Sequence, residues 1–442
     1  MSLWTWSATD LAPVLLVISF CAAHASLLQT HSAAQIHHAM QLDSTSDLLD
    51  ANEKTVLQRM QWWSAGESDM VPTDKYLLFT ADAGGLNNIR IGWEMTGLVA
   101  QYTGRTLVLP PPAPIYLLDW GSRLTGFLPA TMTEGEHKTD ISKMLNLKQL
   151  KTMLPALTWT EFQQRTGLTW EEAMKQAVQV KDTNKLPECS ALPDYSAVTA
   201  KLLFMSGDGD RREGFSCGEW YMRGGPKEPL ANSVGTRGYA LLTHGFMWHG
   251  DAFHIAAKVV NYLGLFNYVA LHARYNDFEA NFGKQPDPQH VIDRLKPWLG
   301  SGVKFYIASD EPKKFAGLNM YSADTVMWAD LLGEATGGLL AEEKKRFGKE
   351  RWFKLTGPVE ELICAFSKVF FGSEQSSFSG HIQAMRIQAE APVTSRILNK
   401  GDLPTEHVKS DIARWENKGG AGAFLPLPKN KGKVFLLQYG PH

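Results

Sequence analysis

Apolar residues alternate with polar ones along the chain in two blocks, each switching between strand-like and helix-like spacing. The first opens at Tyr76 with a short apolar run through Thr80, the pattern of a buried strand. A loop of small residues follows, Ala81 to Asn88. From Ile89 to Tyr102 apolar positions recur at helical spacing, with Ile91, Met95, Leu98, Val99 and Tyr102 on one face. Gly104 then closes the helix, and Thr106–Leu109 forms a second strand stopped by three prolines. Strand, loop, helix and strand in this order predict a parallel βαβ unit. The second block begins near Asp251. It predicts a helix over 252–263, a strand over 268–271 ending at His272-Ala273-Arg274, a helix over 287–299 and a strand over 304–308 ending at Ser309-Asp310. A short strand over 326–328, a helix over 359–367 and a strand over 369–371 follow. Gly372–Ser379 then opens a helix through Arg386.

Between the blocks the pattern breaks into helical pieces, at 145–154, 160–166 and 170–178. Residues 27–66 read as one helix ending at Trp62-Trp63. Ahead of it, Leu11–Ala23 is apolar and Ala23-His24-Ala25 has the small-x-small form of a cleavage site, which predicts an export signal over 1–25. That stretch is too short for a stable transmembrane span. Five segments result: the signal at 1–25, a helical extension at 26–70, an N-terminal Rossmann-like domain at 71–245, a C-terminal one at 246–398, and a Gly- and Lys-rich tail at 399–442.

Composition narrows the function. A chain of 442 residues with 44% hydrophobic residues supports two cores. A net charge of −2 excludes the basic excess of a nucleic-acid binder. Beyond the signal, Cys189 and Cys217 lie in a polar, loop-rich region where a lumenal disulfide is chemically reasonable. Cys364 sits in an apolar helical run, as a buried thiol does. The adjacent His37 and His38 point to different sides of a helix and do not make a metal site.

Three segments carry candidate chemistry. In Gly84–Arg90 (GGLNNIR), Gly84 and Gly85 let backbone approach a ligand closely, and a helix start follows. The strand-terminal Arg274 of His272–Asp277 (HARYND) offers paired donors that match phosphate oxygens; a structural ion pair is the alternative. In Gly372–Arg386, Ser376 and Ser377 fall at a helix start, where serine either caps the helix or adds donors to a phosphate. Phe378 either packs against a base or fills the core.

Together these segments resemble the GDP-fucose protein O-fucosyltransferase family. Its signatures are GGLNQ-x-R with a following TLVLP-type strand, an HxR strand end, a strand with an acidic turn, and FxGSxxSSFSxxIxxxR. Here they stand as GGLNNIR with GRTLVLPPP, YVALHAR, YIASDEP and FFGSEQSSFSGHIQAMR, in the family's order from Tyr76 to Arg386. The resemblance implies a GT-B fold, two Rossmann-like domains facing a cleft, with GDP-fucose held mainly by the C-terminal one. It implies Arg274 on the β-phosphate, His272 lining the nucleotide site and Asp310 as partner of the guanine or ribose. Ser376, Ser377 and Phe378 would embrace the diphosphate and nucleoside. Asn87, with Asn88 beside it, matches the catalytic-loop asparagine, and Gly84 and Gly85 shape that loop.

The implied reaction is inverting transfer of fucose to a hydroxyl of a protein or glycan in the secretory lumen, with no obligatory divalent cation. The loop has no carboxylate at the position where some relatives carry a glutamate. Asp82, Glu94 and Asp277 are the candidate bases, although Glu94 lies four residues after Arg90 and suits pairing with it. Tyr275 stands where relatives carry arginine, which leaves open another deoxysugar donor such as rhamnose. Two rivals remain. Leu202–Met205 followed by Asp208-Gly209-Asp210 has the strand–D-x-D form of metal-dependent GT-A transferases, and is also a plain polar turn. A fold that binds a nucleotide sugar without turning it over is the other.

Overall fold

The computed structural model describes residues 48–63, 68–80, 86–115, 118, 138–180, 197–205, 238, 240–275, 287–299, 302–315, 324–373, 376–389, 391 and 395–398. The predicted export signal, His37 and His38, Asp82, Gly84, Gly85, Cys189, Cys217, Asp208, Asp210, Asp277 and the tail lie outside them.

Among the described residues, ten strands form two parallel sheets. The first has the order β3-β2-β1-β5-β4, with β1 Tyr76–Phe79, β2 Thr106–Val108, β3 Ala156–Leu157, β4 Val178–Gln179 and β5 Leu202–Met205. The second has the order β10-β9-β6-β7-β8, with β6 Val269–Ala273, β7 Phe305–Ser309, β8 Thr325–Met327, β9 Val369–Ser373 and β10 Ser395–Leu398. Every pairing is parallel, so both faces of each sheet must be covered. That is why β1 and the first four residues of β7 and β9 are runs of buried residues rather than alternating ones. This is the predicted α/β class, with the two parallel sheets of the GT-B fold.

In the second sheet the chain moves outward from β6 to β7 and β8, then returns to the other side of β6 for β9 and β10. The reversal leaves a crevice at the C-terminal ends of β6 and β9, where open α/β sheets bind ligands. The first sheet has the corresponding reversal at β1, between β2 and β5.

Helices end where their caps are. Within the helix predicted over 27–66 the described residues show α1 (Ala51–Met60), which Asp50 and Glu53 start with a capping box; residues 27–47 and 64–66 of that prediction lie outside the described residues. α2 (Leu86–Thr103) begins three residues earlier than periodicity predicts and is buried nearly all round, including Trp93, Glu94 and Thr96. α3 is Leu147–Met153, α4 Trp159–Thr166 and α5 Trp170–Gln176; capping boxes at Thr158 and Thr169 start the last two. α5 stops before Val178, which opens β4 instead of extending the helix. α6 spans Gly250–Leu263 and α7 Pro288–Leu295. α8 (Ala341–Ala365) is interrupted at Gly348, whose φ of 68° leaves the helical region, and extends far upstream of the predicted 359–367. α9 is Ser377–Gln388.

One hydrophobic core joins the inner faces of both sheets. It includes Leu77 and Phe79 of β1, Trp93 of α2, Phe246, Trp248, Ala270 of β6, Tyr306 of β7 and Leu362 of α8. Two smaller clusters cover the outer faces. Cys364 is a fully buried free thiol.

Candidate active site

The crevice of the second sheet is built around Ser379. This buried residue of the first turn of α9 lies against the strand tips because β9 carries glycine at position 372. A Cβ there would sit 2.7 Å from the Ser379 side chain. The Ser379 hydroxyl accepts from the backbone N–H of Ser373 at 3.0 Å and meets Nδ1 of His272 at 2.8 Å. Ser373 in turn donates its hydroxyl to the carbonyl of His272 at 3.1 Å and accepts from the N–H of Arg274 at 2.9 Å. His272 and Arg274, on either side of Ala273 at the end of β6, are thus tied to β9 and to the start of α9.

His272 lies inside β6, with its ring stacked on Phe378 at 4.5 Å between centroids. Burial, with the nearby charge of Arg274, pulls its pKa down to about 3, so the ring is neutral at physiological pH. Arg274 projects beyond the strand, and its guanidinium lies 3.2 Å from the carboxylate of Asp310 at the end of β7. The other Asp310 oxygen accepts from the N–H of Tyr275 at 2.9 Å. The Arg274 side chain keeps 19% of its exposure and that of Asp310 only 5%, so the charge that faces outward is the cation. Ser376 caps α9 by accepting from the N–H of Ser379 at 3.4 Å, and Ser377 and Phe378 open the helix. Their N–H groups belong to the first turn, which has no intrahelical acceptors. A guanidinium and a helix N-terminus therefore share one strand edge, a geometry that suits an anion.

Asn87 comes to this region from the first sheet. It is 1% exposed on the first turn of α2, and its side-chain amide donates to Glu361 of α8. Asn88 follows it on the same turn. Glu94 forms the ion pair that its spacing suggests, 3.0 Å from Nε of Arg90 with both side chains buried. Arg90 also donates to the carbonyl of Phe246 and stacks 4.3 Å over the ring of Trp248.

Several residues of the site escape a sequence reading. Arg386, which ends the last motif, is buried and donates to the carbonyls of Ala365, Ser367 and Lys368, so it ties α9 to the end of α8. Burial lowers its pKa to about 10. Glu360 accepts from the Tyr306 hydroxyl at 3.2 Å, and its carboxyl is pushed up to about 8 by desolvation, with the charge of Asp310 adding to the shift. Trp248, Glu361 and His381 form a buried polar cluster with Asn87. Nothing in local periodicity marks Glu360 or Glu361, because their partners lie 20 or more positions away in the chain.

A model of the family described as GDP-fucose protein O-fucosyltransferase matches residues 76–388, more than half of the chain and all strands but β10. The chain belongs to the GDP-fucose protein O-fucosyltransferase family. It is therefore a glycosyltransferase, of a family whose donor is GDP-fucose. Among solved structures it is similar to POFUT1 in complex with GDP-fucose, at 14% identity and a TM-score of 0.40, covering 74% of this chain and 99% of that one. It is also similar to the fucosyltransferase NodZ from Bradyrhizobium, at 11% identity and a TM-score of 0.37, covering 71% and 94%. No curated protein matches the chain. Within the O-fucosyltransferase family framework, the HAR strand end and the SSFS helix start meet at one crevice, and the LNN helix start is hydrogen-bonded to α8. Among the described residues no helix is long and apolar enough to cross a membrane.

Proposed function

We propose that the protein transfers fucose from GDP-fucose, with inversion, to a hydroxyl of a protein or glycan acceptor in the secretory lumen. The observation that carries this reading is the shared edge of Arg274 and the start of α9, joined through Ser373 and Ser379. GDP would bind there, with its diphosphate between the guanidinium and the first-turn N–H groups of Ser377 and Phe378. Arg274 now faces Asp310, and an incoming phosphate would draw the guanidinium toward itself and leave Asp310 for the nucleoside.

In the reaction the acceptor oxygen bonds to the anomeric carbon as the bond from that carbon to the phosphate oxygen breaks. Negative charge grows on the departing diphosphate, and preorganised donors aimed at such charge are commonly the largest catalytic contribution. The neutral ring of His272, stacked on Phe378, contributes shape rather than charge. Asn87 is placed at the acceptor side in this reading. The acceptor proton leaves to a base; Glu94 is occupied by Arg90 in a buried pair, and Asp82 and Asp277 are the other candidates. The N-terminal unit would run over 71–245 and the nucleotide-sugar unit over 246–398.

The test is to incubate the secreted protein with GDP-fucose and a panel of folded protein and glycan acceptors, following GDP release and the anomeric configuration of the product by NMR. Inversion at the anomeric carbon of β-linked GDP-fucose gives an α-linked fucoside, and a β-linked product overturns the mechanism. Binding of GDP-fucose with no GDP release across the panel overturns the enzyme reading.

A further inference from the structure

Glu361 is the least exposed acid of the molecule's described residues, at 0%, and it sits in the last two turns of α8 with three nitrogen atoms around it. Its Oε1 accepts from the amide of Asn87, at the start of α2. Its Oε2 accepts from the indole N–H of Trp248 at 2.7 Å and meets Nδ1 of His381 on α9 at 2.9 Å. Trp248 also lies under the Arg90 guanidinium and edge-on to His381, with ring centroids 6.2 Å apart in the latter contact. One carboxylate therefore ties the start of α2, the segment leading into α6, and the helix that carries Ser377 and Phe378.

The same face of α8 is shaped for close approach one turn earlier. A Cβ at Gly357 would stand 2.8 Å from Cδ2 of Leu86 and 4.0 Å from Cε2 of Phe378. Gly357 and Glu361 are four residues apart and so lie on one side of the helix. Together they receive Leu86 and Asn87 from α2, and Phe378 and His381 from α9.

The chemistry of the cluster decides how Asn87 is oriented. An indole N–H only donates, and an ionised carboxylate only accepts. Glu361 thus requires the nitrogen of the Asn87 amide to face it, which leaves Oδ1 as a buried acceptor with no partner among the described residues. We propose that Glu361 is a positioning residue for the transfer step: it holds the Asn87 amide with its oxygen turned away from α8 and sets that oxygen relative to the donor-binding start of α9. This rests on the reading of Asn87 as a residue that meets the reacting groups.

The test is Glu361→Gln, which keeps the shape and changes the hydrogen-bond sense. Gln accepts from Trp248 and His381 only by turning its own amide N–H toward Asn87, which inverts the Asn87 amide. Hydrolysis of GDP-fucose by water, followed as GDP release, serves as the assay and needs no acceptor. The expected result is a kcat lower by roughly 10- to 100-fold, the scale of losses from a small misplacement, with KM for GDP-fucose within about twofold. In an Asn87→Ala background the same change should cost nothing further in kcat, because there is no amide left to orient. A kcat loss that multiplies with that of Asn87→Ala, or a KM that rises with kcat unchanged, overturns the proposal. Should Glu361→Gln not fold, His381→Phe removes one tether from Oε2; a several-fold lower kcat at constant KM supports the idea, and an unchanged kcat overturns it. The side-chain NH2 resonances of Asn87, assigned by their loss in Asn87→Ala, must also shift in Glu361→Gln, and unchanged resonances overturn the proposal without reference to turnover. If the wild-type protein neither binds nor hydrolyses GDP-fucose, the functional reading fails, and the resonances alone decide whether Glu361 orients Asn87.

Discussion

In the proposed reading Arg274 serves stability, through its pair with Asp310, and chemistry at once. Under the proposed reading, Arg274→Ala takes away a phosphate contact, and it also leaves a nearly buried carboxylate without this cation. Loss of one charge-stabilising donor costs about 10²- to 10³-fold in kcat. The abandoned carboxylate also costs stability, by about 1–3 kcal/mol. We expect GDP release to fall on that scale and the melting temperature to drop. Adding Asp310→Asn should restore most of the melting temperature and none of the activity; recovery of both would show that Arg274 acts only by holding Asp310. His272 gives a pH signature. Its pKa is about 3 in the folded protein against 6.5 when unfolded, so between those values the unfolded chain binds more protons. Stability is therefore complete above pH 6.5 and lost as pH falls toward 3, by an amount on the order of a few kcal/mol. His272→Gln should flatten the difference in urea midpoint between pH 7 and pH 4. An unchanged difference would place the acid sensitivity elsewhere.

The contact between β9 and α9 is the element on which the crevice depends. Gly372→Ala puts a Cβ 2.7 Å from Ser379, and the clash is with a side chain already fixed by His272 and Ser373. The helix start must then move off the strand tips. We expect GDP affinity, read by calorimetry, to weaken by about tenfold or more, since helix N-terminal anion contacts depend on distance; affinity within twofold of wild type would mean that α9 does not hold the phosphates. These elements differ in how far the sequence discloses them. The strands around Tyr76, Thr106, Val269, Phe305 and Val369 are uninterrupted apolar runs, and their order predicts parallel sheets. The Ser376 cap and the Arg90–Glu94 pair are local, at spacings of three and four residues, and are equally legible. α8 is not, because Gly348 interrupts it and Gly357-Pro358 reads as a break although the helix continues through it. The Glu361 cluster is hidden for another reason. It joins residues 274, 113 and 20 positions away from Glu361, and no periodicity reports contacts made only when two sheets share a core.

At the scale of the molecule, the shared core argues against two independently folding halves. Buried residues of β1 and α2 belong to the same cluster as those of α6, β6, β7 and α8. Arg90 makes a buried polar link in that region. It pairs with Glu94 on its own helix and reaches the Phe246 carbonyl and the Trp248 ring beyond it, with 2% of its surface exposed. Burying such a pair is costly, yet breaking it from one side is worse, because the remaining charge has nowhere to go. Arg90→Met should therefore destabilise the protein by about 3–5 kcal/mol, and Arg90→Met with Glu94→Met should recover most of that loss. Scanning calorimetry should show a single transition for the wild type, with calorimetric and van't Hoff enthalpies in agreement. The Arg90→Met protein should melt lower and still as one unit, since the apolar part of the junction remains. Two separated transitions in the wild type would mean that the two sheets unfold independently and that the common core contributes little. The site gives a reason for a single unit. Its groups come from both sheets, and fluctuations that parted them would also part Asn87 from the residues around Arg274.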